Sequence, residues 1–151
     1  MVWGCMTHLG PGYLCKIDGL MDQYLYKSIL EDELVKTIEY YDMEADKVVF
    51  QHDNDSKHRA KSVQDWLASQ PFAVLEWSPQ SPNLNLIEHL WAYLKLQLNN
   101  YDSPPKGMLD LWDGVQAKLN EIDQQTCMSL IESMPKRVEA VLKARGKWTK
   151  Y

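Results

Sequence analysis

Apolar side chains recur along this chain with two different periods, and those periods mark out its elements. Between Met1 and Ile17 the runs MVWGCMT and YLCKI are rich in strand-forming residues and flank Gly10-Pro11-Gly12, which predicts two short strands joined by a turn and closed by Asp18-Gly19. From Asp22 to about Tyr41, the residues Tyr26, Leu30, Leu34 and Ile38 fall every four positions, the spacing of a helix with one apolar face. Lys47–His52 (KVVFQH) and Phe72–Trp77 (FAVLEW) are short, β-branched and aromatic, and read as buried strands. Between them, Val63, Trp66 and Leu67 predict a helix over about Arg59–Ser69. SPQSPNLN is a loop, and beyond it Ile87, Leu90, Trp91, Leu94 and Leu98 line one stripe of an amphipathic helix. After Asp102-Ser103-Pro104-Pro105 two more helices are predicted, roughly Lys106–Ile122 and Gln125–Ala144, the last ending near Gly146.

This order of strands and helices is that of an α/β protein, a mixed sheet with helices covering its faces. In such sheets polar functional groups gather at the carboxyl ends of strands, and Asp53 directly follows KVVFQH. A chain of 151 residues suits one domain with a real core. No apolar run approaches the roughly 18–20 residues of a membrane span, so no membrane partner is expected. The opening MVWGCMTHLG lacks the layout of a signal peptide. Cys5, Cys15 and Cys127 are odd in number and have no metal-type spacing. The expectation is reduced thiols in a nuclear or cytoplasmic protein that is not secreted. Net charge is −5, but Lys136, Arg137, Lys143, Arg145, Lys147 and Lys150 against Glu139 give the last 17 residues +5, so the remainder carries −10. An acidic body disfavours broad non-specific DNA binding, whereas the basic end can reach a phosphate backbone or can simply be solvated.

Two patches carry candidate chemistry. Gln51-His52-Asp53-Asn54-Asp55-Ser56-Lys57-His58 crowds polar side chains around the end of a strand, and Ser78–Glu88 leads a loop into a helix beside an apolar stripe. Spacing alone is satisfied by plainer readings. Asp53-Asn54-Asp55 suits a turn, because Asx side chains bond their own backbone. Asn85 and Glu88 suit an N-cap and its N3 partner. His52, Asp53 and His58 as a zinc site would lack a fourth ligand.

HDNDSKHRAKSVQDWL followed by LEWSPQSPNLNLIEHLWAYLK resembles the signature of mariner-superfamily DNA transposases, in which a strand ends on Asp-Asn-x-x-x-His and a later segment reads Ser-Pro-Asp-Leu-Asn-Pro-Ile-Glu-x-Leu-Trp. Between Asp53 and Glu88 lie 34 residues, the spacing of one large branch of that superfamily. MVWGC, GPGYL and the terminal KWTKY also resemble family segments, so the likeness runs through nearly the whole chain in order. It implies an RNase H-like mixed sheet flanked by helices over residues 1–151, with a helical C-terminal part at about 106–145. Asp53 then matches the second catalytic Asp and Glu88 the third catalytic carboxylate, both metal ligands. Asn54 and His58 match polar positions beside the second Asp, and Ser81-Pro82 and Asn85 match the loop that aims the Glu-bearing helix. Lys57, Arg59, Lys147 and Lys150 are the candidate DNA contacts. Ser56, Asn83 and Leu86 stand where Pro, Asp and Pro are common; none of these changes removes a ligand.

The resemblance implies metal-dependent cleavage and strand transfer on DNA, using two Mg²⁺ or Mn²⁺ ions, with transposon ends rather than a small molecule as substrate and a homodimer as a possible assembly. Hard oxygen ligands suit those ions. The family takes another Asp from a first, central strand just upstream of a segment like MVWGC. No Asp precedes MVWGC here, and Asp18 lies after the hairpin in a turn position. The expectation is therefore a sheet truncated at the N-terminus, completed by a partner's strand or by direct pairing of the flanking strands, and a chain that cannot by itself cleave DNA. The helix-turn-helix domains that read DNA sequence in the family are likewise not represented. Two other readings stay open: a domesticated, inactive module for interaction or dimerisation, and an unrelated metal-dependent hydrolase built on Asp53 and His58.

Overall fold

A computed structural model describes residues 1–77, 84–101 and 103–145 and shows β1 (Val2–Thr7) and β2 (Gly10–Lys16) as a hairpin. Met1 and Ile17 exchange both backbone hydrogen bonds (3.1 and 2.9 Å), the mark of an antiparallel pair. The reversal falls at His8-Leu9, earlier than the Gly-Pro-Gly sequence suggests. Thr7 Oγ1 accepts from the Leu9 N–H at 3.0 Å and donates to the Gly10 carbonyl at 3.2 Å. A threonine hydroxyl can organise a turn in this way, and Gly10 accommodates the positive φ of 151° that follows. Pro11 then lies inside β2, tolerated because a two-stranded sheet has only edge strands.

The chain divides into two compact units, Met1–Gly4 with Gly12–Ser81 and Cys5–Pro11 with Pro82–Tyr151. In the first, Asp22 caps α1 (Gln23–Ile29) by accepting from Tyr24 N–H and Leu25 N–H at 3.0 and 2.8 Å. A π-helical turn, Leu30–Leu34, joins α1 to α2 (Val35–Tyr40), with Val35 N–H bonding back to the Leu30 carbonyl. The sequence explains this turn. An apolar repeat of four overshoots the 3.6-residue α-helical turn, and a wider i→i+5 turn brings the stripe back into line. Tyr26, Leu30, Leu34 and Ile38 are all buried as a result. Thr37, also buried, donates to the Glu33 carbonyl and accepts from Tyr13 N–H of β2 at 3.0 Å, fastening hairpin to helix.

Only Val49–Phe50 of KVVFQH form a strand (β3), paired in parallel with Ala73–Val74 (β4) and extended by bonds from Ala73 N–H to the Val48 carbonyl and from Leu75 N–H to the Phe50 carbonyl. Neither is buried on both faces, contrary to the expectation from composition. Side chains alternate across a strand, so Phe50 packs inward on Phe72 while Val49 is 62% exposed. Among the described residues β1–β2 and β3–β4 are separate two-stranded sheets, and the flanking strands do not pair directly. Between β3 and β4, α3 (Lys61–Ala68) buries Val63 and Leu67, packs against α1, and sets Trp66 edge-on to Phe72.

In the second unit α4 (Leu86–Asn99) buries Leu86, Leu90 and Leu94, leaving Ile87, Trp91 and Leu98 half-buried. It packs against α5 (Met108–Asn120), where Gly114 permits the approach: a Cβ there would stand 3.2 Å from Leu98 and 3.3 Å from Tyr101. The last predicted helix is in fact two, α6 (Gln124–Glu132) and α7 (Met134–Lys143), broken at Ser133. Pro135, in the first turn of α7, cannot continue the preceding helix because it lacks an N–H and its ring meets the carbonyl one turn back.

Asp22→Ala removes both N-cap hydrogen bonds of α1 and should lower stability by about 1 kcal/mol, with Asp22→Asn retaining most of it, read as the urea unfolding midpoint.

Candidate active site

Past β3 the chain continues without regular structure through Asp53 and then turns. Asp55 N–H donates to Asp53 Oδ1 at 3.1 Å, and Lys57 N–H donates to Asp55 Oδ1 at 3.0 Å, so the Asx turn anticipated from spacing is present. The two aspartates nonetheless differ. Lys57 Nζ lies 2.7 Å from Asp55 Oδ2, and this bond holds the Asp55 carboxyl below the usual carboxylate range. Asp55 is thus engaged by Lys57, whereas Asp53 is not. Its side chain is 49% exposed, with Oδ1 2.7 Å from His58 Nδ1 and Oδ2 without a hydrogen-bond partner among the described residues. His58 Nδ1 also lies 3.3 Å from the Asp53 carbonyl. Asn54 Nδ2 donates to the Trp77 carbonyl at 2.7 Å, tying this turn to the stretch after β4. Arg59 is exposed next to it.

Tyr26 of α1 lies beneath. Its ring stacks on His58 at 3.9 Å between centroids, and its hydroxyl is 2.9 Å from His52 Nδ1. Burial, then the charges of Asp53 and Asp55, push the Tyr26 hydroxyl well above its usual range and keep it protonated. Burial, then the neighbouring His58, lowers His52 to about 4, opposed by Asp53. His52 is therefore a neutral ring at neutral pH. Neither Tyr26 nor the stack was read from sequence, where Tyr26 counts only as one member of an apolar stripe.

Glu88 lies in the first turn of α4 and is exposed. Asn85 occupies the N-cap position but makes no side-chain cap bond, so the capping-box reading of Asn85 and Glu88 does not hold. Leu86, where the resembling family commonly has Pro, is the first helical residue and is buried, exchanging a preset φ for core contact. Beside Glu88, His89 Nε2 accepts from Arg137 Nη1 at 2.6 Å, and Arg137 Nε donates to Ser133 Oγ at 2.7 Å. Burial, then the Arg137 charge, holds His89 below its ordinary range, as an acceptor requires. Arg137, counted by sequence among a solvated basic end, is 3% exposed. Ser81-Pro82, Asn83, Lys147 and Lys150 lie outside the described residues.

Asp53 and Glu88 belong to different units, and among the described residues no three His, Cys, Asp or Glu side chains gather as a metal cluster. The donor chemistry still fits a hard divalent cation, since each carboxylate is exposed and neither is consumed by a Lys or Arg ion pair among the described residues.

Residues 2–107 match the DDE superfamily endonuclease family, and the chain belongs to it. The transposase of transposable element Tcb1 from Caenorhabditis briggsae is 36% identical over 151 residues, covering all of this chain and 54% of that protein. The chain thus spans about half the length of such relatives. The Mos1 transposase catalytic domain, solved with raltegravir and Mg, matches with a TM-score of 0.87 at 21% identity over 99% of this chain and 76% of that one. The Mos1 mariner paired end complex with Mn matches at 0.86 and 22% identity, over 99% of this chain and 44% of that one. At that identity the likeness establishes the fold, the RNase H-like α/β fold of that catalytic domain, within a chain homologous to Tc1/mariner transposases.

The fold depresses His52 from an unfolded value near 6.5 to about 4. Its contribution, on the order of 2 kcal/mol after solvent screening, is fully present above about pH 6.5 and is lost as pH falls through 4. The unfolding free energy of His52→Asn should lose that part of the pH dependence. Arg137→Met should cost about 2 kcal/mol in urea unfolding by stripping bonds from Ser133 and His89. Arg137→Lys should recover less than half, because an ammonium cannot span both partners.

Proposed function

We propose that this chain is part of a Tc1/mariner-type transposase catalytic domain, that Asp53 and Glu88 are two of its metal-binding carboxylates, and that its substrate is transposon-end DNA. The presentation of Asp53 carries the reading. Of the two aspartates in the turn, it is the one left open, with one oxygen anchored on His58 and the other available. A carboxylate held through one oxygen leaves the other for a cation, whereas Asp55 has one oxygen on the Lys57 backbone N–H and the other on its ammonium. Bound Mg²⁺ or Mn²⁺, two ions in an intact site, would supply a polarised phosphoryl group and an activated water or 3′-hydroxyl.

The chain's own residues bind and orient. Asp53 and Glu88 offer hard oxygens from a strand end and a helix start. His58 and Asn54 fix the turn that carries Asp53. Arg59, Lys147 and Lys150 supply phosphate attraction, and Lys57 adds to it while paired with Asp55. The family match covers both carboxylate-bearing segments, which favours the catalytic reading over an inactive interaction module. Action on chromosomal DNA would place the protein in the nucleus, and joining two transposon ends would suit a dimer. Asp53 and Glu88 alone offer few oxygens for two ions, so these 151 residues by themselves are expected not to nick DNA.

Calorimetric titration with Mn²⁺ tests the assignment. Asp53→Asn and Glu88→Gln should each weaken binding by roughly tenfold or more, and wild-type affinity in both would sink it. Incubation of the chain with transposon-end DNA and Mn²⁺ should leave the DNA intact; nicking that disappears in Asp53→Ala would show that two carboxylates suffice.

A further inference from the structure

We infer that Tyr26 is a positioning residue of this site, the buried platform that holds the His58 ring against Asp53; this rests on the reading of Asp53 as a metal ligand. The reason lies in how His58 is oriented. A histidine serving a carboxylate is ordinarily fixed at both ring nitrogens, one on the carboxylate and the other on a second partner. Here Nδ1 faces Asp53 Oδ1 at 2.7 Å, but Nε2 is buried and has no hydrogen-bond partner among the described residues. The ring can still pivot about the bond to Asp53 unless its faces are held.

Tyr26 holds one face. It is 1% exposed, stands at the top of the buried stripe of α1, and lies 3.9 Å from His58 with the planes 25° apart. The tyrosine is itself pinned: its hydroxyl makes the 2.9 Å bond to His52, in a direction that follows the His52 tautomer, and its backbone N–H bonds to the Asp22 carbonyl. The His52 ring runs nearly parallel to that of His58, 10° apart at 5.3 Å. Stacked rings lose most of their contact when one turns out of plane. The stack therefore keeps Nδ1 aimed at Oδ1 and leaves Oδ2 as the oxygen presented to a cation. A residue remote from the chemistry thus decides the geometry of a ligand through one intermediate ring.

Two variants separate the stack from the hydroxyl. Tyr26→Phe keeps the aromatic face and loses the bond to His52, whereas Tyr26→Leu removes the face. Long-range proton–nitrogen spectra of the His58 ring read its tautomer at fixed pH without metal, and Mn²⁺ titration reads the ligand. Tyr26→Phe should retain the wild-type His58 spectrum and bind Mn²⁺ within about twofold of wild type. Tyr26→Leu should move His58 toward a mixture of tautomers and weaken Mn²⁺ by roughly tenfold. Tyr26→Met, which fills the space with a flexible chain, replaces the Leu variant if that one does not fold. A folded Leu or Met variant with an unchanged His58 spectrum overturns the inference, as does a Phe variant as impaired as the Leu variant. Asp53→Asn keeps the failures apart: if it leaves Mn²⁺ binding intact, the ligand reading is wrong, while the His58 spectra still decide the role of Tyr26.

Discussion

The first unit depends on one helical face. Tyr26, Leu30, Leu34 and Ile38 are all buried together, and on an undistorted α-helix their spacing of four residues would drift by about 40° at each step. The π-helical turn at Leu30–Leu34 resolves the conflict, costing regular hydrogen bonding over one turn and gaining a continuous apolar stripe. The rest follows by contact. Thr37, on the same face, holds the hairpin through Tyr13. Tyr26, at the other end, brings an aromatic ring under His58 and through it reaches Asp53.

Charge is sorted with equal economy. Asp53 and Asp55 stand two residues apart in the same turn, yet Lys57 engages one and an imidazole the other. That difference turns a cluster of polar residues into a single presented carboxylate. In the second unit the buried Arg137 is satisfied by Ser133 and a neutral His89, beside the exposed Glu88. A charge counted toward a basic, solvated end is therefore internal.

Much of the site was legible because it is local. Asp53, Asn54 and His58 lie within six residues of one another, and the turn they share is built from their own side chains and backbone. The break at Ser133 was also present in the sequence, as Pro135, but the apolar periodicity on both sides concealed it. The site of the first turn was decided by the Thr7 hydroxyl rather than by the neighbouring Gly-Pro-Gly. The cap expected at Asn85 failed because its side chain makes no bond to the helix end.

Periodicity and motif by themselves determined the order of elements, the positions of the two carboxylates and the family to which the chain belongs, since each is written in residues adjacent along the chain. Tertiary structure alone decided what lies beneath His58 and that Arg137 is internal. Those outcomes rest on contacts between residues 26 and 48 positions apart, Tyr26 with His52 and His89 with Arg137. No local spacing encodes such contacts, because they exist only once the helices have packed.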